Sequence, residues 1–323
     1  MRRLLIVFAC AAALAVPAAT AAGPAVHFPR DHYGHAGATI EWWYFTALAR
    51  DPAGNRYSVF FTLFSSQGGL IPVSQVVDLG TGAVLGHTEE LAVGKVSATA
   101  LDVRAGHARL RYARATNTWA FSVSTPGFSV SFAQRPLKSY ALHGGGTGLI
   151  QQSVGGPSHY YSATRMSAQG TVTAGSRTLV LTGQSWFDHQ WGSYRDDPRA
   201  FDWDWFSCRF DDGTELMLYQ FRDAVTGEPL AAFRNGTAVA RSGKASAVGG
   251  FTAVAGARTL DAGGRSWPLD WTLEVPSLGL TESVSAIVPD QLVRNAVVPT
   301  FWEGASTATG TRAGTCFVEL SYR

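Results

Sequence analysis

Residues 203–222 read WDWFSCRFDDGTELMLYQFR, and this stretch decides the fold class. Apolar and aromatic side chains fill most of residues 203–210, Asp212-Gly213 interrupts them, and a second apolar run follows over residues 215–222. An Asp-Gly pair between two such runs is a strong hairpin signal, because glycine supplies the positive φ that a tight turn needs. We therefore predict two antiparallel strands joined at Asp212-Gly213.

The same alternation of short strands and turns extends along the chain. Residues 128–132 and 271–275 alternate apolar and polar side chains with a period of two, and turn-forming pairs such as Asn235-Gly236 separate such runs. Helical periodicity is scarce, and the best helical candidate, residues 289–297, is short. This pattern predicts an all-β chain of sandwiches or barrels with little helix, and it argues against a Rossmann or TIM fold.

Length and composition narrow the function class. The chain has 323 residues, 46% of them apolar and 15% charged, which suits two domains of ordinary size. A formal net charge of +2 gives no electrostatic reason to expect a nucleic-acid partner. Residues 1–22 carry a basic start, an apolar run over residues 4–16 and a small-residue end, the pattern of a cleaved secretory signal. We therefore expect an exported protein, either periplasmic or secreted.

A domain junction is expected near residue 195, where charged residues and Pro198 follow the last strand signal of the first half. The resulting division is a signal peptide over residues 1–22, an N-terminal domain over residues 23–195 and a C-terminal domain over residues 196–323. Residues 59–64 and 201–206 are apolar on both faces, which favours strands that lie between two layers or line a cavity.

Two cysteines remain after removal of the signal, Cys208 and Cys316. An oxidising compartment permits a disulfide between them. Two free, buried thiols are the alternative, because the sequence does not give their separation.

Common catalytic and metal motifs are missing from the sequence. There is no Gly-x-Ser-x-Gly elbow, no His-Glu-x-x-His and no paired-cysteine zinc pattern. Residues 143–146, His-Gly-Gly-Gly, resemble a lipase oxyanion loop, but without the elbow we interpret them as a flexible turn. Asp31, His32 and His35 could touch a metal, yet a surface loop is the preferred interpretation. We therefore expect no metal site.

Glu41-Trp42-Trp43-Tyr44 places a carboxylate directly before three large aromatic side chains. In one interpretation, Glu41 caps the end of a barrel strand. In the other, it lies in an apolar pocket where desolvation raises its pKa, so that it holds a proton near neutral pH.

A second cluster, residues 186–192, reads WFDHQWG. Side chains alternate across a regular strand, so Asp188 shares a face with Trp186 while His189 shares the opposite face with Trp191. An acid among indole rings could donate a proton to an unsaturated substrate. The alternative is a Trp-rich strand with two satisfied polar anchors.

A third cluster lies on the predicted hairpin. Gln220 and Arg222 end a face that is otherwise apolar. Polar groups on such a face need a buried partner, and Asp204 and Glu41 are the candidates. A purely structural ion pair and contact with a substrate both stay open.

Several motifs occur in a fixed order along the chain and resemble a known family. They are Glu41-Trp42-Trp43-Tyr44-Phe45, Tyr160-Tyr161-Ser162-x-x-Arg165, Trp186-x-Asp188-His189-x-Trp191-Gly192, Asp212-Gly213 followed by Leu216-Met217-Leu218-Tyr219, and Phe301-Trp302-Glu303-Gly304. The set resembles the carotenoid 1,2-hydratase and hydroxyneurosporene synthase family with its secreted AttH-type relatives. The resemblance spans nearly the whole mature chain and points to the secreted branch.

The resemblance implies two lipocalin-like antiparallel β-barrels side by side, in agreement with the strand pattern. The hydratases protonate a terminal isoprenoid double bond, and water captures the tertiary cation. Carried over, the acid is Asp188, with His189 as its neighbour and either Glu41 or His189 assisting. The implied chemistry needs no metal or other cofactor. The alternative is a non-catalytic carrier of a hydrophobic ligand.

The implied partner is a hydrophobic small molecule, an isoprenoid, polyene or lipid, and no nucleic acid. Peripheral membrane contact and the oligomeric state stay open. The residues expected to contact the ligand are mostly aromatic: Trp42, Trp43, Tyr44, Tyr160, Tyr161, Trp186, Trp191, Trp203, Trp205, Gln220 and Arg222.

Overall fold

The structure is a computed structural model that describes residues 25–66, 68–153, 156–193 and 201–322. The predicted signal peptide, residues 1–22, and the predicted junction near residue 195 lie outside the described residues. No helix within the described part of the chain is long and apolar enough to cross a membrane.

Two curled antiparallel sheets account for most of the described chain, which confirms the predicted all-β fold class. The first sheet has 13 strands. They are β1 Ile40–Arg50, β2 Arg56–Ser66, β3 Gly69–Asp78, β4 Val84–Glu89, β5 Ala92–Val93, β6 Asp102–Ala105, β7 Ala108–Ala113, β8 Thr118–Thr125, β9 Phe128–Pro136, β10 Ala141–Leu142, β11 Leu149–Ser153, β12 Gly156–Ala174 and β13 Arg177–Gly192. Its main path runs β4-β3-β2-β1-β13-β12-β9-β8-β7-β6.

The second sheet has 10 strands, and two further strands, β19 and β20, pair separately. The strands are β14 Phe201–Phe210, β15 Glu215–Asp223, β16 Pro229–Val239, β17 Ala245–Ala247, β18 Thr252–Ala255, β19 Arg258–Leu260, β20 Ser266–Pro268, β21 Asp270–Val275, β22 Leu280–Ala286, β23 Leu292–Val293, β24 Phe301–Gly310 and β25 Gly314–Leu320. Its main path runs β17-β16-β15-β14-β25-β24-β22-β21-β18.

Helix is confined to short segments. The described residues contain α1, His143–Gly146, and 3₁₀ turns at Arg30–His32, Arg114–Thr116 and Pro276–Leu278. The helix predicted over residues 289–297 was wrong, because this segment contains β23, which pairs with β24 instead.

The hairpin predicted at Asp212-Gly213 is confirmed. β14 and β15 pair antiparallel, and Gly213 has a φ of +82° in the turn. The turn predicted at Asn235-Gly236 was wrong, because both residues lie inside β16. A Cβ on Gly236 would come within 2.7 Å of the Val248 side chain, so this glycine permits close packing.

Three buried apolar clusters organise the molecule. One lies on the inner face of the first sheet, a second on the inner face of the other sheet, and a third between the two sheets. In β2, Phe61 belongs to the first cluster and Phe60 to the third; in β14, Phe206 belongs to the second and Trp205 to the third. The prediction that residues 59–64 and 201–206 are buried on both sides is therefore confirmed.

A disulfide joins β14 to β25. Cys208 and Cys316 lie directly opposite each other, with their Cα atoms 4.0 Å apart, and their sulfur atoms are bonded. Both belong to the buried cluster of the second sheet. The bridge, rather than two free thiols, is the arrangement in the structure.

Candidate active site

Asp188 lies in the layer between the two sheets, on the outward face of β13. Its carboxylate accepts hydrogen bonds from the Tyr160 hydroxyl (2.6 Å), from the Trp186 indole N–H (2.6 Å) and from the Ser162 hydroxyl. The side chain is 3% exposed. The antiparallel register of β12 and β13 places Ser162 directly beside Asp188, and because side chains alternate along a strand, both point to the same face.

Both sheets hold this carboxyl in place. The Trp205 indole N–H, from β14, donates to the Tyr160 hydroxyl at 3.1 Å. His143 lies 2.7 Å from the Ser162 hydroxyl through Nε2 and 2.8 Å from the Thr237 hydroxyl of β16 through Nδ1. Because Ser162 donates to Asp188, His143 donates from Nε2 and accepts at Nδ1. The residues interpreted as a flexible turn thus place a buried imidazole behind the acid.

Burial raises the pKa of Asp188 to about 7. The hydrogen bonds from Ser162, Tyr160 and Trp186 act in the opposite direction, and the nearby charge of Glu319 adds to the increase. This carboxyl therefore exchanges a proton near neutral pH, which is the property that a general acid needs.

Two more carboxyl groups lie in the same layer, and sequence analysis assigned a role to neither. Glu303 of β24 and Glu319 of β25 are directly opposite each other. The Tyr44 hydroxyl donates to Glu303 (2.7 Å), and the Trp203 indole N–H donates to Glu319 (2.6 Å). Burial and the charge of Glu319 raise the pKa of Glu303 well above its usual range, and burial also raises the pKa of Glu319.

A signal for this pair was present in the sequence. Glu303 is part of the Phe301-Trp302-Glu303-Gly304 motif, and Glu319 alternates with the apolar side chains of β25. A charged residue on a strand whose other face is fully apolar indicates either an exposed face or a polar layer between two sheets. To choose the polar layer, one has to know which segment covers that face, and the sequence of β25 does not contain this information.

Aromatic rings surround the carboxyls between the sheets. The rings of Trp186 and Trp205 meet edge to face at 6.1 Å, and those of Tyr44 and Trp205 at 5.3 Å. Of the residues predicted to contact a ligand, the following lie in or against this layer: Trp42, Tyr44, Tyr160, Trp186, Trp203 and Trp205.

Glu41 and His189 do not lie with Asp188. They occupy the inner side of the first sheet, where His189 Nε2 is 2.8 Å from Glu41 Oε1. Asp188 and His189 lie on opposite faces of β13, as predicted. The expectation that Glu41 or His189 assists Asp188 directly in the reaction is not compatible with this geometry. The predicted ligand contacts Trp43, Tyr161 and Trp191 share this inner side.

The expectation that Asp31 and His32 belong to a surface loop was wrong, because both residues are buried. The Tyr161 hydroxyl lies 2.7 Å from His32 Nδ1. His35 is partly buried and lies 2.7 Å from Glu41 Oε1 through Nδ1 and 3.4 Å from Asp31 Oδ1 through Nε2. The 3₁₀ turn Arg30–His32 folds back onto the sheet, because the His32 side chain contacts Tyr161 and the backbone carbonyl of Asp31 contacts His189.

The electrostatics of Glu41 also differ from the expectation of a raised pKa. Burial does favour the neutral form, but the polar contacts of its carboxylate with His189 and His35 outweigh it and lower the pKa of Glu41. Burial lowers the pKa of His189, while Asp31 and Glu41 raise that of His35 against the effect of burial. Glu41 is therefore an ionised acceptor between two imidazoles.

A cavity of about 550 Å³ opens beside this cluster. His35 lines it, together with Arg30, Pro157, His159 and Trp191. The Trp191 ring stacks on His35 at 3.9 Å and on His159 at 4.9 Å. The cavity thus has an aromatic wall that leads to the buried Glu41–His189 pair.

Gln220 and Arg222 lie neither in the layer around Asp188 nor beside the Glu41–His189 pair. Both donate to Asp204 Oδ2 at 2.9 Å, on the inner side of the second sheet. Of the two partners suggested by the sequence, Asp204 is the one in the structure. The Arg222 guanidinium also lies 3.8 Å from the centre of the Tyr322 ring, so its contacts in the structure include an ion pair with Asp204 and this ring contact.

Comparison with known proteins agrees with the fold. A family model described as AttH-like matches residues 19–322. The structure is similar to that of an AttH-type protein from Nitrosomonas europaea, with a TM-score of 0.82, 22% identity, and coverage of 95% of this chain and 98% of the other. No curated protein matches the chain.

Two further structures are similar over most of their length. Kievitone hydratase from Nectria haematococca has a TM-score of 0.76 and 17% identity, with 92% of this chain and 93% of the other covered. CghA, solved with Sch210972, has a TM-score of 0.55 and 13% identity, with 88% and 89% covered. At these identities the similarity establishes the fold alone.

Proposed function

The chain belongs to the AttH-like family, and we propose that it acts on a carbon–carbon double bond of an apolar, isoprenoid- or lipid-like substrate by acid-catalysed hydration or isomerisation. The observation that carries the proposal is Asp188, a carboxyl buried among indole and phenol groups with a pKa of about 7. The fold shared with kievitone hydratase, a hydratase by name, supports the choice of reaction class.

The reaction begins with transfer of the Asp188 proton to one alkene carbon. The π electrons form the new C–H bond, which leaves a cation on the other carbon and a carboxylate on Asp188. Water attacks the cation and returns a proton to Asp188 in a hydration, whereas loss of a neighbouring C–H proton to Asp188 completes an isomerisation. In this proposal the rings of Trp186 and Trp205, which belong to the buried cluster between the sheets, stabilise the cation.

The test uses the purified mature protein with squalene and lycopene as probes, in D₂O. Mass spectrometry distinguishes addition of D₂O from exchange of a single deuterium, and so separates hydration from isomerisation. Asp188→Asn is expected to reduce turnover by about 100-fold or more, which is the usual contribution of a general acid. The matched control is Asp290→Asn at an exposed site. Unchanged turnover in Asp188→Asn would remove the mechanism.

A non-catalytic carrier is the second candidate, and the cavity favours it. The cavity has a volume of about 550 Å³ and lies beside Trp191, on the opposite face of β13 from Asp188. A carrier is expected to bind cis-parinaric acid in this cavity without forming a product. Trp191→Ala should then weaken binding while Asp188→Asn leaves it unchanged.

Export is part of the same proposal. The signal pattern of residues 1–22 predicts it, and the Cys208–Cys316 disulfide supports it, because such bridges persist in oxidising compartments. Osmotic-shock fractionation followed by N-terminal sequencing is expected to find a mature chain that begins near residue 23. A cytosolic protein with an intact N-terminus would contradict this.

A further inference from the structure

Three side chains on the inner side of the first sheet converge on one point. His35 Nδ1, His189 Nε2 and a carboxylate oxygen of Glu41 all lie within 4.8 Å of one another. They come from three separate places in the chain: the loop before β1, the start of β1 and the end of β13. The pairing of β1 with β13 fixes two of them, because Trp43 lies opposite His189 and Glu41 opposite Trp191.

The hydrogen bonds around His189 leave its Nε2 facing another acceptor. Nδ1 lies 2.9 Å from the backbone carbonyl oxygen of Asp31, which can only accept, so Nδ1 carries the hydrogen. The Tyr161 hydroxyl is then free to donate to His32. In the neutral imidazole the lone pair is on Nε2, and it points at Glu41 Oε1 from 2.8 Å. Two acceptors at this distance require a cation between them, either a proton or a metal ion.

Asp31 orients both imidazoles. Its backbone carbonyl accepts from His189 Nδ1, and its carboxylate lies 3.4 Å from His35 Nε2. The carboxylate is held in turn by the backbone N–H of His27 (2.6 Å) and by the Arg30 guanidinium. Metal-binding histidines characteristically donate their second ring N–H to a carboxylate or a backbone carbonyl, and here one residue provides both partners.

The donor set and the surroundings define the class of ion. Two imidazole nitrogens and one carboxylate suit Zn²⁺ and other first-row divalent ions, and they suit Mg²⁺ and Ca²⁺ poorly. Ligand atoms around such an ion are roughly 3.3 Å apart, so Glu41 Oε1 needs to withdraw by about half an ångström. His35 lines the cavity of about 550 Å³, which provides a route for the ion and room for an additional ligand.

We propose that His35, Glu41 and His189 form a binding site for one Zn²⁺-like divalent ion, with Asp31 as the outer residue that orients both histidines. The site is on the opposite face of β13 from Asp188, and it does not depend on the proposed reaction there. It also revises the expectation, based on the sequence, that the chain has no metal site.

The experiment uses tag-free mature protein, stripped with EDTA and dialysed into metal-free buffer. ZnCl₂ is titrated by calorimetry, with MgCl₂ as the comparison ion, and CoCl₂ is added separately to record the visible absorption of bound Co²⁺. The variants are His35→Ala and Glu41→Gln at the site and Asp31→Asn outside it. His107→Ala is the matched control, because His107 also pairs with a glutamate but lies on the surface.

The expected result is one Zn²⁺ per chain, no saturable Mg²⁺ binding and a Co²⁺ spectrum that depends on Glu41. Asp31→Asn should weaken Zn²⁺ binding by 10–100-fold, the range typical of an outer partner, and His35→Ala should weaken it further. Circular dichroism verifies that each variant is folded, and the wild-type Co²⁺ spectrum tests the site without any variant. Absence of saturable Zn²⁺ binding in the wild type, or equal binding by wild type, His35→Ala and Glu41→Gln, would overturn the proposal and leave a proton as the shared cation.

Discussion

The raised pKa of Asp188 predicts that folding stability depends on pH in a specific way. The pKa changes from 3.8 to about 7 on folding, which corresponds to about 4 kcal/mol at 1.36 kcal/mol per unit. The folded state binds the proton more tightly, so the contribution is complete below pH 4 and is lost as the pH rises through 7. Between pH 5 and pH 8 the loss amounts to about 2.5 kcal/mol.

Replacement of Asp188 by asparagine removes this dependence. Urea unfolding followed by tryptophan fluorescence, at pH 5 and pH 8, gives the free energy of unfolding of the wild type and of Asp188→Asn. The difference between the two proteins should shift by about 2.5 kcal/mol in favour of the variant at the higher pH. Glu303 and Glu319 are present in both proteins, so only their coupling to the Asp188 charge adds to the difference. Parallel pH profiles would refute the assignment of a raised pKa to Asp188.

Three more variants test the packing, each by urea unfolding at fixed pH. Cys208→Ala with Cys316→Ala removes a bridge between residues 108 apart in sequence and should cost about 4 kcal/mol; addition of a reductant to the wild type should reproduce the loss. Glu215→Gln removes the charge of a buried carboxylate that pairs with the partly buried cations of Lys138 and Arg165 and should cost about 3 kcal/mol, whereas exposed Glu228→Gln should have little effect. Arg209→Met should be neutral or stabilise by about 1 kcal/mol, because this guanidinium is buried and its Nη1 has no hydrogen-bond partner; a loss of several kcal/mol would contradict that account.

The fold class could be predicted because its signals are local. The apolar–polar alternation of residues 271–275 and the Asp212-Gly213 turn each depend on neighbouring residues only, and both match the structure. The Asn235-Gly236 pair failed as a turn signal because a distant contact, the Val248 side chain against Gly236, decides its conformation.

The site could be predicted only in part, because its partners are distant in sequence. Alternation alone placed Asp188 and His189 on opposite faces. It did not reveal which face Glu41 shares, since that depends on the register of β1 against β13. The burial of His32 depends on Tyr161, 129 residues further along the chain, and no local pattern contains that contact.

β13 separates two buried environments, since adjacent residues on it, Asp188 and His189, face different clusters of side chains. Insertion or deletion of one residue between Trp186 and Trp191 would move the side chains that follow it to the opposite face, whereas a change of two residues would preserve the faces. Functional relatives should therefore tolerate substitutions in this segment far better than single-residue changes in its length. Ligands bound on the two sides of β13 are also expected to bind with separate stoichiometries on one protein.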